Sequence, residues 1–296
     1  MYHNLRVGTK FIYGIIVRKY EVEQSMNDEI KIKNLSQAIQ YSEEFVYHQS
    51  TYINEHYQEL NLDFNIQILM NFFYSIIETS DGIYSLTYDK NIGSINALSR
   101  IQYESVIQFL TMLEGDFKVN ILSYEYHQIK DIVNKNNYLL SVNKMFSQPY
   151  FKMEQEKWKN ALKDEKFNVV KKQLPKNKKY TNWFNVTKGN PTSIKQLIKN
   201  YFKSTKLLDK QAVEMYYSLL SGNIHNHNVN RFIENNSLLP IRRDNLIDSS
   251  IELVTSFLMA SLISFVEFLE NELNIKTKNK EELTSFFKNS LTEMKK

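Results

Sequence analysis

The chain has 296 residues, with 37 Lys and Arg against 33 Asp and Glu for a formal net charge of +4, and it contains seven glycines, four prolines and no cysteine. The missing cysteine excludes disulfides, thiolate nucleophiles and cysteine-based zinc sites, and so little Gly and Pro argues against a turn-rich all-β fold. Neither GxGxxG nor a Walker-type GxxxxGKS/T loop is present, and the mild positive charge permits a nucleic-acid partner without requiring one.

Residues 1 to about 25 differ from the rest: Phe11 to Val17 is aromatic and β-branched and reads as a strand or extended arm. From Asn27 to Leu60 a weak apolar stripe through Ala38, Ile39, Phe45 and Val46 predicts a surface helix or helix pair, with His48 and His56 solvated. Ile66 to Tyr88 carries the first strong 3.6-residue period. A second helix runs from about Ser94 to Glu114 with Leu98, Ile101, Ser105, Phe109, Met112 and Leu113 as its stripe. The short Asp89–Gly93 connection predicts an antiparallel hairpin of the two. Residues 121–174 read as an amphipathic helix pair broken at Gln148-Pro149. Leu174 to Lys179 is a basic exposed loop, and a Trp-containing turn then leads into a helix from Ser193. A long helix from Asn245 to Leu273 buries Ile251, Val254, Leu258, Leu262, Phe265 and Leu269. Its Glu252, Glu267 and serines mark a core helix rather than a membrane span.

The chain is therefore expected to be all-α, a bundle of long antiparallel helices with a short extended N-terminal arm. The expected divisions are 1–61, an N-terminal extension with surface helices; 62–275, the main helical domain; and 276–296, a charged C-terminal helix or tail.

Two polar constellations stand out. Tyr216 to Arg231 is an apolar helical segment ending at Ser221-Gly222, followed by His225 and His227 among four asparagines. Far upstream, Arg100 and Glu104 lie four apart on an apolar helix, a spacing that makes either a helix-stabilising surface ion pair or, among such apolar neighbours, part of a buried polar network. The two-residue spacing of the histidines and the absence of HExxH disfavour a metal site, and no GxSxG accompanies the serines. A histidine moving a proton beside an arginine that stabilises phosphate charge suffices for metal-independent RNA cleavage, with the 2′-hydroxyl as nucleophile.

The run Leu98-Ser99-Arg100-Ile101-Gln102-Tyr103-Glu104, then Thr181-Asn182-Trp183-Phe184, the helix Ser193–Lys199, and Tyr217-Ser218-Leu219-Leu220-Ser221-Gly222-Asn223-Ile224-His225 resemble a bacterial family in order and spacing. It is domain-of-unknown-function family fifty-six seventy-seven, marked by Arg-x3-Glu, a Trp turn and Tyr-x2-Leu-Ser-x3-His. The resemblance covers roughly residues 62–270. That family in turn resembles the HEPN helical ribonucleases, which dimerise to form a composite RNA-cutting site and serve in toxin or phage-defence systems. Here no arginine precedes histidine at the HEPN spacing of Arg-x4-6-His, so the resemblance implies that separate helices supply Arg100 and His225.

The expected function is a HEPN-like, metal-independent endoribonuclease in the cytoplasm. Arg100 would stabilise the scissile phosphate, Glu104 would orient it, and His225 would move the proton. His227, Asn223 and Asn226 would position RNA, with Lys176, Lys178 and Lys179 attracting its backbone. Tyr217, Ser221 and Trp183 would form a supporting structural network. The expected partners are RNA and a second copy in a homodimer, with no cofactor, metal or membrane. The alternative is a non-enzymatic helical interaction module that binds a partner protein and whose Arg100, Glu104, Tyr217 and His225 network is structural.

Overall fold

A computed structural model of the chain describes residues 28–60, 62, 64–142, 149–175, 181–205, 233–234, 237–238, 248–277 and 285. The expected extended arm at Phe11–Val17 lies outside these residues, as does nearly all of the expected C-terminal tail. The fold is all-α, as expected. Among the described residues the helices are α1 (Asp28–Leu60), α2 (Gln67–Tyr88), α3 (Ile92–Leu113), α4 (Phe117–Val142), α5 (Pro149–Ala161), α6 (Asn168–Gln173), α7 (Ile194–Thr205) and α8 (Asp248–Leu273). A two-residue antiparallel ladder pairs Ile233 with Leu238 and Glu234 with Ser237.

Helix starts are set by short polar side chains that accept otherwise orphaned backbone N–H groups. Asn65 Oδ1 takes the Gln67 N–H at 3.1 Å, Asn91 Oδ1 the Ser94 N–H at 3.3 Å, Asp116 Oδ1 the Val119 N–H at 3.2 Å and Ser193 Oγ the Gln196 N–H at 3.2 Å. The cap at Asn91 starts α3 two residues before the expected Ser94. Beyond its end at Leu113, Gly115 adopts φ 65°, a left-handed conformation that glycine enters without Cβ strain. Pro149 opens α5, where its fixed φ suits a first helical turn and its missing N–H costs nothing.

The residues form two compact units. The first contains α1, α2 from Met70, α3 and α8. At its centre four phenylalanines, one from each helix, meet. Phe265 of α8 lies 5.3 Å from Phe109, 5.5 Å from Phe73 and 5.8 Å from Phe45 between ring centroids, with edge-on or steeply inclined rings. The pairs Phe73–Phe109 and Ser80–Gln102, with Gly82 against Leu98, make α2 and α3 the expected antiparallel hairpin. A Cβ at Gly82 would lie 3.3 Å from Leu98 Cδ1, so glycine sets how closely these helices approach. The pairs Gln102–Val254 and Phe109–Phe265 run in the same direction, so α8 is parallel to α3. Lys31–Glu252, at 3.1 Å, and Phe45–Phe265 make α1 parallel to α8 as well.

Helix α1 is one continuous helix rather than a pair, and it is no mere surface element. Leu35, Ala38, Ile39, Phe45 and Ile53 are buried along one stripe that also holds Lys31, Ser42 and Gln49. Buried hydroxyls in this unit bond back to their own helix: Ser42 to Ala38 O, Ser80 to Ile76 O, Ser99 to Ile95 O and Thr255 to Ile251 O, each between 2.7 and 2.8 Å. The six apolar positions expected to face inward on α8 are all buried. Ile251–Leu273 is long and apolar enough to cross a membrane by length and composition, and 83% of an 18-residue stretch of it is buried inside the protein. On α3 the expected stripe holds at Phe109, Met112 and Leu113, which are buried, and fails at its N-terminal half. Ile101 is 49% exposed, while Ile95, Ser99, Gln102, Tyr103 and Val106 face inward, because Gln102 and Ser99 find buried partners that a purely apolar pattern does not register.

The second unit comprises residues 62–69 and 114–197. Leu122 and Ile129 of α4 pack on Phe167 and Val170, with Trp158, Leu162 and Val186 around them. The buried Gln155 of α5 donates to Asn137 Oδ1 at 2.6 Å and to Val133 O at 3.3 Å, tying α5 to α4. Asp164 Oδ1 caps the 3-10 turn Glu165–Phe167 by accepting the Lys166 N–H at 3.0 Å.

Candidate functional site

The arginine half of the expected site lies in the first unit. Arg100 Nε donates to Glu104 Oε1 at 2.9 Å, one turn apart on α3, with side chains 17% and 24% exposed. The pair sits at the edge of the buried face, one residue before exposed Ile101 and beside fully buried Tyr103, whose ring lies 5.1 Å from Phe257. A carboxylate bonded to Nε fixes the plane of the guanidinium, and partial desolvation strengthens both the pair and any field it presents.

The other expected site residues divide by location. His225, His227, Asn223, Asn226, Tyr217, Ser221, Lys176, Lys178 and Lys179 all lie outside the described residues. Trp183 belongs to the second unit, where it is buried in the 3-10 turn Trp183–Val186 with its ring 5.9 Å from Tyr124 and 5.8 Å from Phe184. Asn185 Oδ1 accepts the Asn182 N–H at 2.7 Å, and Ser123 Oγ of α4 donates to Trp183 O at 2.7 Å, which anchors the turn on α4. Among the described residues no group of three or more His, Asp or Glu side chains is arranged to hold a metal ion.

A polar cluster that sequence reasoning missed lies where that turn meets α4. His127 Nδ1 donates to Ser123 O at 2.7 Å, His127 Nε2 lies 3.0 Å from Thr181 Oγ1, and Lys130 Nζ donates to the same hydroxyl at 3.2 Å. His127 is 7% exposed. Burial depresses its pKa below the ordinary 6.5, helped by Lys130 and opposed by the Ser123 bond and Asp131. The available signal was helical spacing: Ser123, His127 and Lys130 recur every three or four residues and so share one face of α4. Nearby in the chain, burial raises the Glu114 carboxyl from 4.5 to about 7, with Lys188 pulling the other way. A carboxyl in that range exchanges its proton near neutrality.

No curated protein and no solved structure matches the chain. A family model does, over residues 66–237, a span that includes the Arg100–Glu104 pair, His127, Thr181 and His225. The chain belongs to the family of unknown function DUF5677.

Proposed function

We propose that this protein is a HEPN-like, metal-independent endoribonuclease acting in the cytoplasm as a homodimer in a toxin or phage-defence role. The observation that carries the reading is the Arg100–Glu104 pair, a guanidinium held in one plane by a carboxylate and still partly open to solvent. A fixed, partly desolvated cation is what stabilises the charge that develops on a scissile phosphate. In this reading His225 moves the proton from the 2′-hydroxyl, Glu104 orients Arg100, and His227, Asn223 and Asn226 position the RNA. Lys176, Lys178 and Lys179 add backbone attraction. The test is cleavage of RNA by the purified protein in EDTA, with products ending in a cyclic phosphate. The reading fails if wild-type protein leaves RNA intact under every activating condition tried and His225→Ala changes only thermal stability. That result would favour the helical interaction module, for which the exposed Ile101 beside Arg100 offers an apolar contact.

A further inference from the structure

The cluster on α4 has a defined proton order. His127 Nδ1 faces a carbonyl, which can only accept, so that nitrogen carries the ring proton and Nε2 is bare in the neutral ring. The Thr181 hydroxyl therefore donates to Nε2, while its lone pair accepts from Lys130 Nζ. An oxygen with a base on its proton and a cation on its lone pair, the base oriented from behind by a third group, has the geometry of an activated nucleophile. The imidazole is buried, whereas Thr181, at the head of the anchored Trp183 turn, is partly exposed. The more accessible polar atom of the pair is the threonine oxygen.

We infer that Thr181 is a nucleophilic hydroxyl, with His127 as its base and Lys130 as the cation facing the oxygen, and that it accepts an acyl group from an activated carboxylic ester. Thr181 Oγ1 bonds to the ester carbonyl carbon as its proton passes to His127 Nε2. The tetrahedral oxyanion collapses, the ester C–O bond breaks, and the leaving alcohol or phenol takes that proton. The products are an acyl-threonine and the free alcohol. Attack by water under the same base would regenerate Thr181. A carboxylic ester fits better than a phosphoryl donor, because one ammonium, Lys130, lies beside the attacking oxygen, whereas phosphoryl transfer calls for several cations around three oxygens.

The same bonds could instead serve only to tether the Trp183 turn to α4, and the experiment separates the two. The full-length protein is mixed with p-nitrophenyl acetate near neutral pH, release of p-nitrophenolate is followed, and acetylated peptides are mapped before and after hydroxylamine. The expected result is one hydroxylamine-labile acetyl on Thr181. It is absent in Thr181→Val, kept in Thr181→Ser, and formed roughly 10²-fold or more slowly in His127→Gln of unchanged melting temperature. The rate should level off once a group titrating below 6.5 has lost its proton. Acetylation confined to lysines and the amino terminus would overturn the proposal, as would equal labelling of Thr181 in His127→Gln. If His127→Gln does not fold, the wild-type pH profile decides, since a rate rising with hydroxide throughout would leave no base at work and equally overturn it.

Discussion

Gln102 donates its side-chain amide to Ser80 Oγ at 2.7 Å across the α2–α3 hairpin, and the same nitrogen reaches Val254 O of α8 at 3.1 Å. One buried amide thus joins three helices of the first unit. Its Oε1 has no hydrogen-bond partner among the described residues, so the group is only half satisfied. Replacing Gln102 by Ala should lower stability by about 2–4 kcal/mol, combining a cavity with the lost bonds. Gln102→Met, which keeps the volume and removes the unsatisfied oxygen, should cost less, about 1 kcal/mol. Urea unfolding of the two variants checks the order.

The phenylalanine nucleus gives a larger effect. Phe265 is fully buried and touches a ring on each of α1, α2 and α3. Phe265→Ala should cost about 3–5 kcal/mol, and Phe265→Leu appreciably less. Calorimetry showing Phe265→Ala within 1 kcal/mol of wild type, on the order of a surface substitution, would contradict the packing described.

Glu114 makes stability depend on pH in an unusual direction. Its carboxyl is raised from 4.5 to about 7 by burial, so between these values the unfolded chain gives up the proton before the folded one. Folding stability contributed by this group is present below 4.5 and is lost as pH rises to about 7. Glu114→Gln should therefore be about 1–2 kcal/mol more stable than wild type above that range and nearly equal to it in acid. His127 has the opposite sign: with its pKa depressed below 6.5, its contribution is present above 6.5 and falls as acid protonates the unfolded chain first. Thermal melts across this range on Glu114→Gln and on Glu114→Gln/His127→Gln would give the histidine slope by difference.

For the proposed ribonuclease, Arg100→Ala should lower stability by about 1–3 kcal/mol, because the pair is mostly buried and truncation removes one partner of the Glu104 carboxylate. It should also reduce RNA cleavage by roughly 10²- to 10³-fold, the usual worth of one charge-stabilising group. His225→Ala should reduce it by roughly 10²- to 10⁴-fold. Parallel melts and RNA gels measure both. Loss of cleavage accompanied by a collapse in stability would point to the Arg100–Glu104 pair as a structural element.

How much of this was legible depends on what each side chain does once buried. The run Ile251 to Leu269 is apolar at most inward positions, and its buried Thr255, Ser256 and Ser261 bond back to their own helix, so its helix and its buried face could both be read from the sequence. On α3 the phase was legible at Phe109, Met112 and Leu113 but not in the N-terminal half. Gln102 and Ser99 occupy the core because they find partners there, and Ile101 is left outside. The stripe of α1 was hidden in the same way by Lys31, Ser42 and Gln49. Arg100 and Glu104 could be paired from their spacing alone, since four residues place them on one helical face. The Thr181–His127 bond could not be anticipated, because it joins residues more than fifty apart and depends on how the Trp183 turn docks on α4.

The four-phenylalanine nucleus also constrains how the chain is made. Phe45, Phe73 and Phe109 leave the ribosome early, whereas Phe265 follows Phe109 by roughly 150 residues. At about 5–20 residues per second that interval lasts on the order of ten to thirty seconds. Throughout it the inner faces of α1, α2 and α3 lack the helix that closes over them, and the second unit is synthesised meanwhile. Completing the nucleus then requires a long chain loop to close, which slows folding relative to a bundle of sequential neighbours. A nascent chain with such a waiting apolar surface is a substrate for holding chaperones, and truncation before α8 should yield aggregates rather than a smaller folded bundle.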